Sequence, residues 1–253
     1  MSRIALDMLY ELKGSDFVPL DFEFDVSELE LGDQGLKGFI DRVDGWRHGD
    51  KHYLRVIDYK TGKKSFSLSD IVYGRDMQML IYLFALEKHG KARYGGDIVP
   101  AGALYVPARD IVLQMPRNST DEQIAKKRAG ELRRAGLVLN EPRLLDAMEN
   151  SEVKRYLPVR QSKDGELNGG GLIDARQSAL LDGHVRAMLD RASEEILDGG
   201  IECVPYYKNE NENACMFCRF KAVCAFDEDA GDTRRHARKL GNREIWEILG
   251  NRE

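Results

Sequence analysis

The sequence predicts an α/β fold in which a mixed sheet is flanked by helices, with helical and cysteine-rich attachments on the C-terminal side. Two strand-like runs flank a polar turn at residues 47–51. Apolar residues then recur at helical intervals over residues 67–90, and residues 96–113 return to strand character. Because a helix that connects strands of one sheet is the usual α/β arrangement, we expect one structural unit built around this sheet.

The N-terminal part predicts a short helix followed by three strands. We expect the helix over residues 3–13 and the first strand at residues 19–26, PLDFEFDV. Residues 35–46 (GLKGFIDRVDGW) and 53–60 (YLRVIDYK) predict the next two strands, and the RHGDK between them has the composition of a hairpin turn. These two strands should therefore pair antiparallel.

Residues 67–90 predict one helix, with a serine cap near its start and Gly90 at its end. Gln78 and Tyr82 are four positions apart and so lie on one face. A polar pair on an otherwise apolar helix is most often a satisfied edge of the core. Beside a catalytic site, the same amide and phenol would position a nucleophile or a substrate, so both interpretations stay open.

The rest of the chain predicts one or two strands at residues 96–113, interrupted by Pro100 and Pro107, and then helices. One helix begins at residues 119–122, and its basic residues form either a solvated face or a contact with DNA or a protein partner: Lys126, Lys127, Arg128, Arg133 and Arg134. A mobile loop at residues 161–172 and a long helix at 175–197 should follow. The predicted division is a core at 1–116, a helical extension at 117–200, and a cysteine-rich segment and tail at 201–253.

Composition limits the class of protein without deciding its function. The 253 residues are enough to bury a core, and the sequence contains no apolar run that would span a membrane and no signal peptide pattern, so we expect a cytoplasmic protein. The net charge of -5 argues against a freestanding, strongly basic DNA-binding module, because non-specific affinity depends on neutralising phosphates. A larger assembly could supply the missing positive charge.

Three charged residues on the predicted hairpin form the first candidate site. Asp58 and Lys60 share one face of a regular strand, and strand pairing would bring Asp41 near them. One interpretation is that a buried strand simply emerges into solvent with an exposed ion pair, which contributes little to stability. The other is a divalent metal site, since Mg²⁺ binds through one or two carboxylates, with Lys60 orienting a water or offsetting charge in a transition state.

The motifs GFIDRVD, VIDYKTG and Gln-x-x-x-Tyr, in this order, resemble the RecB-type nuclease domain of the PD-(D/E)XK superfamily, and especially AddB-like nuclease domains. The likeness runs from about Phe17 to Asp227 and implies a restriction-endonuclease-like core. It also implies Mg²⁺ or Mn²⁺ as cofactor, an AddA-type helicase-nuclease subunit as partner, and trimming of duplex DNA ends to leave single strands during double-strand break repair. The residue roles that it implies are metal ligation by Asp41, Asp58 and the Tyr59 carbonyl, a catalytic role for Lys60, and support from Gln78 and Tyr82.

The four cysteines all lie in the last quarter of the chain, and three of them form a C-x2-C-x5-C run. Reduced thiols, a zinc knuckle and part of a [4Fe–4S] cluster all fit this spacing. The resemblance implies that Cys215, Cys218 and Cys224 join one upstream cysteine around a cluster. No cysteine precedes Cys203, so we expect a C-terminal piece of a longer subunit whose cluster is absent or incomplete, with Cys203 poorly placed as a fourth ligand.

Two alternatives to a nuclease subunit remain open. The first is a non-catalytic module that binds DNA ends or supports assembly, which the presence of Asp41, Asp58 and Lys60 disfavours. The second is a stand-alone nuclease of the same superfamily with zinc at the cysteines, which metal analysis would distinguish. For the nuclease itself we expect Asp41, Asp58 and Lys60 to converge on one pocket, with Gln78 on the flanking helix facing it.

Overall fold

The computed structural model describes residues 3–29, 37–162 and 164–251. The chain forms two compact units, both discontinuous in sequence. Unit 1 comprises Met1–Phe66 and Met77–Asp182, and unit 2 comprises Ser67–Asp76 and Gly183–Glu253. These units are groups of residues that are close in space, and the division at residues 116 and 200 stays a prediction based on sequence character.

In the first half of the chain, one helix is followed by three strands, three helices and a fourth long strand. The strands are β1 (Val18–Asp25), β2 (Phe39–His48), β3 (Lys51–Lys60), β4 (Asp97–Pro107), β5 (Ala135–Leu139), β6 (Arg160–Gln161), β7 (Leu167–Asn168), β8 (Leu172–Ile173), β9 (Tyr206–Asn209), β10 (Glu212–Asn213) and β11 (Arg235–His236). The helices are α1 (Arg3–Lys13), α2 (Leu68–Val72), α3 (Gln78–His89), α4 (Lys91–Tyr94), α5 (Asp121–Leu132), α6 (Pro142–Met148), α7 (Ala175–Leu197), α8 (Lys221–Cys224) and α9 (Asn242–Gly250). Among the described residues, no helix is both long enough and apolar enough to cross a membrane.

Within the described part of unit 1, six strands form one mixed sheet in the order β1-β2-β3-β4-β5-β8. β1, β2 and β3 are antiparallel neighbours, β3 and β4 run parallel, β4 and β5 are antiparallel, and β5 and β8 run parallel. The chain returns from β3 to the parallel β4 through helices, as a parallel pair requires. The predicted α/β class, a mixed sheet flanked by helices, is confirmed.

The stretch at residues 96–113 contains one strand, β4, and not two. Its pairing with β3 slips between Leu54↔Pro100 and Arg55↔Gly102. Pro100 has no N–H to donate, so an irregularity in the ladder accommodates it without ending the strand. Pro107, the other predicted interruption, is the last residue of the strand.

The single helix predicted over residues 67–90 is two helices, α2 and α3. Ser67 caps α2 through a bond from the Asp70 N–H, and Gly90 follows α3, so both predicted ends are present. Between the helices, Gly74 and Asp76 have φ angles of 79° and 52°. A right-handed helix cannot continue through left-handed residues, and this interrupts the apolar pattern.

Downstream elements largely follow the sequence pattern. The long helix α7 has the predicted bounds, and α5 begins close to the predicted start with Thr120 as cap and Gln123 completing a capping box. The glycine-rich stretch contains the short β6–β7 hairpin and β8, although residue 163 lies outside the described residues. Residues 35 and 36 of the predicted second strand also lie outside them.

The apolar core of unit 1 contains side chains from one face of the sheet and from α6. It includes Ile57, Leu104 and Val138 from adjacent strands, and Leu144 and Leu145 from the helix, all almost fully buried. Burying each such side chain contributes about 1.5–3 kcal/mol. The other face of β3 and β4 is contacted by α3, which positions this helix beside the residues that end β3.

Candidate active site

Asp41 lies where β2 and β3 cease to pair. The recorded register ends at Arg42↔Ile57, one residue before Asp41 and Asp58. At this point the backbone N–H of Tyr59 donates to Oδ2 of Asp41 over 2.7 Å. The Asp41 carboxylate is therefore held against the main chain between Asp58 and Lys60.

Asp58 and Lys60 occupy alternate positions of β3 and form an ion pair. Lys60 Nζ lies 2.7 Å from Asp58 Oδ2, with side-chain exposures of 36% and 15%. Oδ2 of Asp58 is buried, and the Lys60 ammonium balances its charge at this distance. The carboxylates of Asp41 and Asp58, at the ends of two neighbouring strands, are a donor set that fits a hard divalent cation.

Tyr105 belongs to this site and was missed in the sequence. In the parallel register of β3 and β4 it pairs with Asp58, so the two side chains share a face. Its ring lies 5.5 Å from Lys60 Nζ and also 5.5 Å from Lys64 Nζ. Nothing in the local pattern around Tyr105 distinguishes it from a core aromatic, because its neighbours are set by the register of a strand far along the chain.

The helix pair is formed as its spacing predicts. Gln78 Nε2 donates to the Tyr82 hydroxyl over 3.0 Å. That hydroxyl lies against the backbone of Gly38, so closely that a Cβ on Gly38 would collide with it. Tyr82 thus contacts the chain three residues before Asp41, whereas the remaining donor and acceptor capacity of Gln78 is available for a further contact.

A buried ion network lies on the opposite face of the same hairpin. Asp44 accepts from Arg42 Nη2 and from Arg55 Nε, each over 2.9 Å, and all three side chains are almost completely buried. Arg42 Nη1 also donates to the Tyr59 hydroxyl. The network therefore holds the side chain of Tyr59, whose N–H binds Asp41 on the candidate site.

The environment keeps Tyr59 in its neutral form. Burial raises the pKa of the Tyr59 phenol above its ordinary value, and Asp44 adds to this effect, while Arg42 opposes it. A neutral phenol can be held by a hydrogen bond without adding charge to the site. This supports a structural rather than an acid–base role for the Tyr59 side chain.

Two surface cavities in unit 1 are lined by residues other than those of the candidate site. Cavities of about 340 and 800 Å³ lie along α1 and α5, and none of the predicted site residues lines them. Three of their arginines form ion pairs: Arg134 with Glu11, Arg128 with Asp7, and Arg109 with Glu131. We therefore assign the candidate site to the ends of β2 and β3 and not to either of these cavities.

In unit 2, Cys203 contacts one of the three cysteines of the C-x2-C-x5-C run. Its Sγ lies 3.3 Å from Sγ of Cys224, and this hydrogen bond raises the pKa of the Cys203 thiol. Ligands at about 2.3 Å around a tetrahedral zinc would be about 3.8 Å apart, so this pair is in direct thiol contact. Among the described residues, no group of three or more His, Cys, Asp or Glu side chains is arranged to hold a metal. As arranged, the cysteines do not fit a zinc or iron–sulfur site.

Curated relatives are similar in sequence to this chain over nearly its whole length. The chain is 33% identical over 242 residues to an ATP-dependent helicase/deoxyribonuclease subunit of Clostridium kluyveri (strain NBRC 12016), which covers 94% of the chain and 21% of the relative. It is 34% identical over 233 residues to the subunit of the same name from Acetivibrio thermocellus, with coverages of 90% and 20%. The chain spans about a fifth of the length of these relatives.

A family model gives the same assignment. The model of the PD-(D/E)XK nuclease superfamily matches residues 2–225, which contain the whole mixed sheet and the Asp41, Asp58 and Lys60 positions. The six-stranded sheet with flanking helices is consistent with the restriction-endonuclease-like fold. The chain therefore belongs to the PD-(D/E)XK nuclease superfamily.

Proposed function

We propose that this domain hydrolyses phosphodiester bonds in DNA with the aid of Mg²⁺ or Mn²⁺. The observation that carries the proposal is the contact of Asp41 with the Tyr59 N–H, beside the Asp58–Lys60 pair. Asp41, Asp58 and the carbonyl of Tyr59 would hold the cation. A divalent cation bound there would supply Lewis acidity toward the phosphate and lower the pKa of a bound water.

Lys60 has two states in this proposal. Without a cation, its ammonium balances Asp58 at 2.7 Å. With Asp58 held by a cation, the Lys60 ammonium would be available to orient the attacking water or offset charge on the phosphate. Tyr105 supports this ammonium through its ring, since a cation–π contact does not neutralise the lysine.

Gln78 and Tyr82 would support the site from α3. Their mutual hydrogen bond fixes the amide orientation, and the contact of Tyr82 with Gly38 ties the helix to the segment that leads to Asp41. An oriented amide is suited to hold a water or a phosphate oxygen. In this proposal the Gln78–Tyr82 pair positions the reactants. If the pair is instead a satisfied edge of the core, replacing Gln78 should lower the stability of the domain.

The names of the relatives extend the proposal to a biological context. Proteins called helicase/deoxyribonuclease subunits imply DNA as substrate and a second subunit as partner. We propose an AddA-type partner, processing of duplex ends to leave single strands, and a role in double-strand break repair in the cytoplasm. A [4Fe–4S] cluster would belong to a full-length subunit, because such a cluster needs four protein ligands and the cysteines as arranged do not supply them.

The test is cleavage of a labelled DNA duplex by the intact chain. Cleavage should require Mg²⁺ or Mn²⁺, stop with EDTA, and fall at least about 100-fold in Asp58→Asn, which removes one proposed ligand. The matched control is Asp190→Asn, which changes an exposed aspartate of α7 in unit 2 and should cleave at the wild-type rate. A non-catalytic DNA-end-binding module would bind the duplex without any metal-dependent cleavage, and that result would reject the nuclease proposal.

A further inference from the structure

A concentration of positive charge lies next to the candidate active site. Three segments of unit 1 contribute to it: the loop after β3 with Lys63 and Lys64, the segment after β4 with Arg109, and α5 with Lys127. β3 and β4 run parallel and end together, since Lys60 pairs with Pro107. The loops that follow both strands therefore leave the sheet at the same edge.

Lys64 is linked to the candidate site through an aromatic ring. Its Nζ lies 5.5 Å from the centroid of Tyr105, the same ring that contacts Lys60. The Lys64 side chain is half-buried, so its position is constrained more than that of a freely moving surface lysine. The protein therefore places a second ammonium on the ring that flanks Asp58.

The other cations gather around one carboxylate. Arg109 Nη2 bonds to Oε2 of Glu131 over 2.7 Å. The bond from Arg109, followed by the charges of Lys63 and Lys127, lowers the pKa of Glu131 below its ordinary value. Three cations around one anion leave a local excess of positive charge, although the whole chain has a net charge of -5.

The distance to the site suits a neighbouring phosphate. Lys63 is three residues beyond Lys60, so their Cα atoms are at most about 11 Å apart. DNA rises about 3.4 Å per nucleotide, so a phosphate at Lys63 would lie within about three nucleotides of one at Lys60. Exposed lysines usually form solvated surfaces, but here Lys63 and Lys64 follow within four residues of Lys60, the last residue of β3 and the proposed nucleophile-activating group.

We propose that Lys63, Lys64 and Lys127 form a phosphate-binding surface for the DNA backbone on one side of the scissile bond. Its place relative to the scissile bond rests on the proposed nuclease function, whereas its affinity for DNA does not. Glu131 limits the positive charge of this surface and orients Arg109. The ligand is a nucleic acid backbone, because a row of phosphates matches cations that come from three separate segments.

The test measures DNA binding without cleavage, by fluorescence anisotropy of a labelled duplex with the intact chain in EDTA over a series of salt concentrations. Each of Lys63→Gln, Lys64→Gln and Lys127→Gln should reduce the salt slope of log affinity by about 0.9 and weaken binding about eight-fold at about 0.1 M salt. Lys64→Arg keeps the charge and should retain the slope. Glu131→Gln removes a negative charge and should strengthen binding.

The matched control is Lys51→Gln, because Lys51 is an exposed residue at the opposite end of β3, roughly 30 Å from Lys60. This exceeds the screening length at about 0.1 M salt, so the control should bind as the wild type does. The proposal is overturned if the three lysine variants keep the wild-type salt slope, or if the wild type shows no salt-dependent binding. If the three lysine variants lose DNA affinity and salt slope but the wild-type chain does not cleave DNA, the result supports this surface and rejects the nuclease function.

Discussion

Replacing Asp44 with asparagine should destabilise unit 1 far more than replacing an exposed aspartate of the same sheet. Asp44 is the common partner of Arg42 and Arg55, and the side chains of Asp44 and Arg55 are fully buried. Asp44→Asn removes the carboxylate that forms ion pairs with two buried guanidinium groups. Removing one partner of a buried ion pair costs about 3–5 kcal/mol.

The matched control is Asp97→Asn, at the start of β4. Asp97 pairs with Lys91 at 3.4 Å, with side-chain exposures of 76% and 72%. Solvent-exposed pairs of this kind contribute about 0–1 kcal/mol. The comparison thus keeps the Asp→Asn change constant, whereas the burial of the carboxylate and the number of its cationic partners differ.

The assay is urea unfolding followed by tryptophan fluorescence in a Trp246→Phe background, so that Trp46 of β2 reports on unit 1. The free energy of unfolding from the urea curves should fall by about 3–5 kcal/mol. In thermal unfolding, the same loss corresponds to a fall of about 6–20 °C in Tm for a chain of this size. Similar unfolding midpoints for Asp44→Asn and Asp97→Asn would mean that the Asp44 network contributes no more to stability than an exposed ion pair, contrary to this prediction.

Three further predictions concern catalysis, pH and the cysteines. Lys60→Ala should keep the wild-type circular dichroism and Tm, because the Lys60 side chain is about a third exposed. Its DNA cleavage rate should fall at least about 100-fold. Unchanged cleavage would remove Lys60 from the mechanism. Burial alone would raise the pKa of Glu11, but Arg134 holds it below its ordinary value, so this pair contributes stability above about pH 4.3 that is lost as the pH falls further. In urea unfolding, the free energy of unfolding of Glu11→Gln should fall less than that of the wild type below about pH 4.3. Identical pH profiles for the two proteins would contradict this role of the Glu11–Arg134 pair. Iron and sulfide analysis after anaerobic purification should find no stoichiometric cluster in this chain, and stoichiometric iron that is lost in Cys203→Ser would show that Cys203 is a ligand.

Local chemistry explains why much of the fold was predictable from the sequence. The hairpin of β2 and β3 follows from alternating side chains around a polar turn, and α7 from a long uninterrupted helical pattern. The predicted helix start at Ser67 and helix end at Gly90 are confirmed, because helix capping depends on residues within one turn. The placement of Gln78 beside Tyr82 follows from helical spacing in the same way.

The features that were missed depend on contacts between distant segments or on backbone conformation. Tyr105 joins Asp58 only through the parallel register of β4. The break before α3 arises from left-handed residues, and at Asp76 the side chain gives little warning of such a conformation. Cys203 contacts Cys224 because the chain turns back over 21 residues, which spacing alone does not predict.

The proposed nuclease site requires that Asp41 and Asp58 together hold a divalent cation beside Lys60. Its most direct test is titration of the intact chain with Mn²⁺, with free Mn²⁺ measured by electron paramagnetic resonance. We predict saturable binding in the wild type and in Asp190→Asn, and a loss of the tightest site in both Asp41→Asn and Asp58→Asn. Tight Mn²⁺ binding that survives in both of these variants would contradict the claim, because the cation would then lie elsewhere.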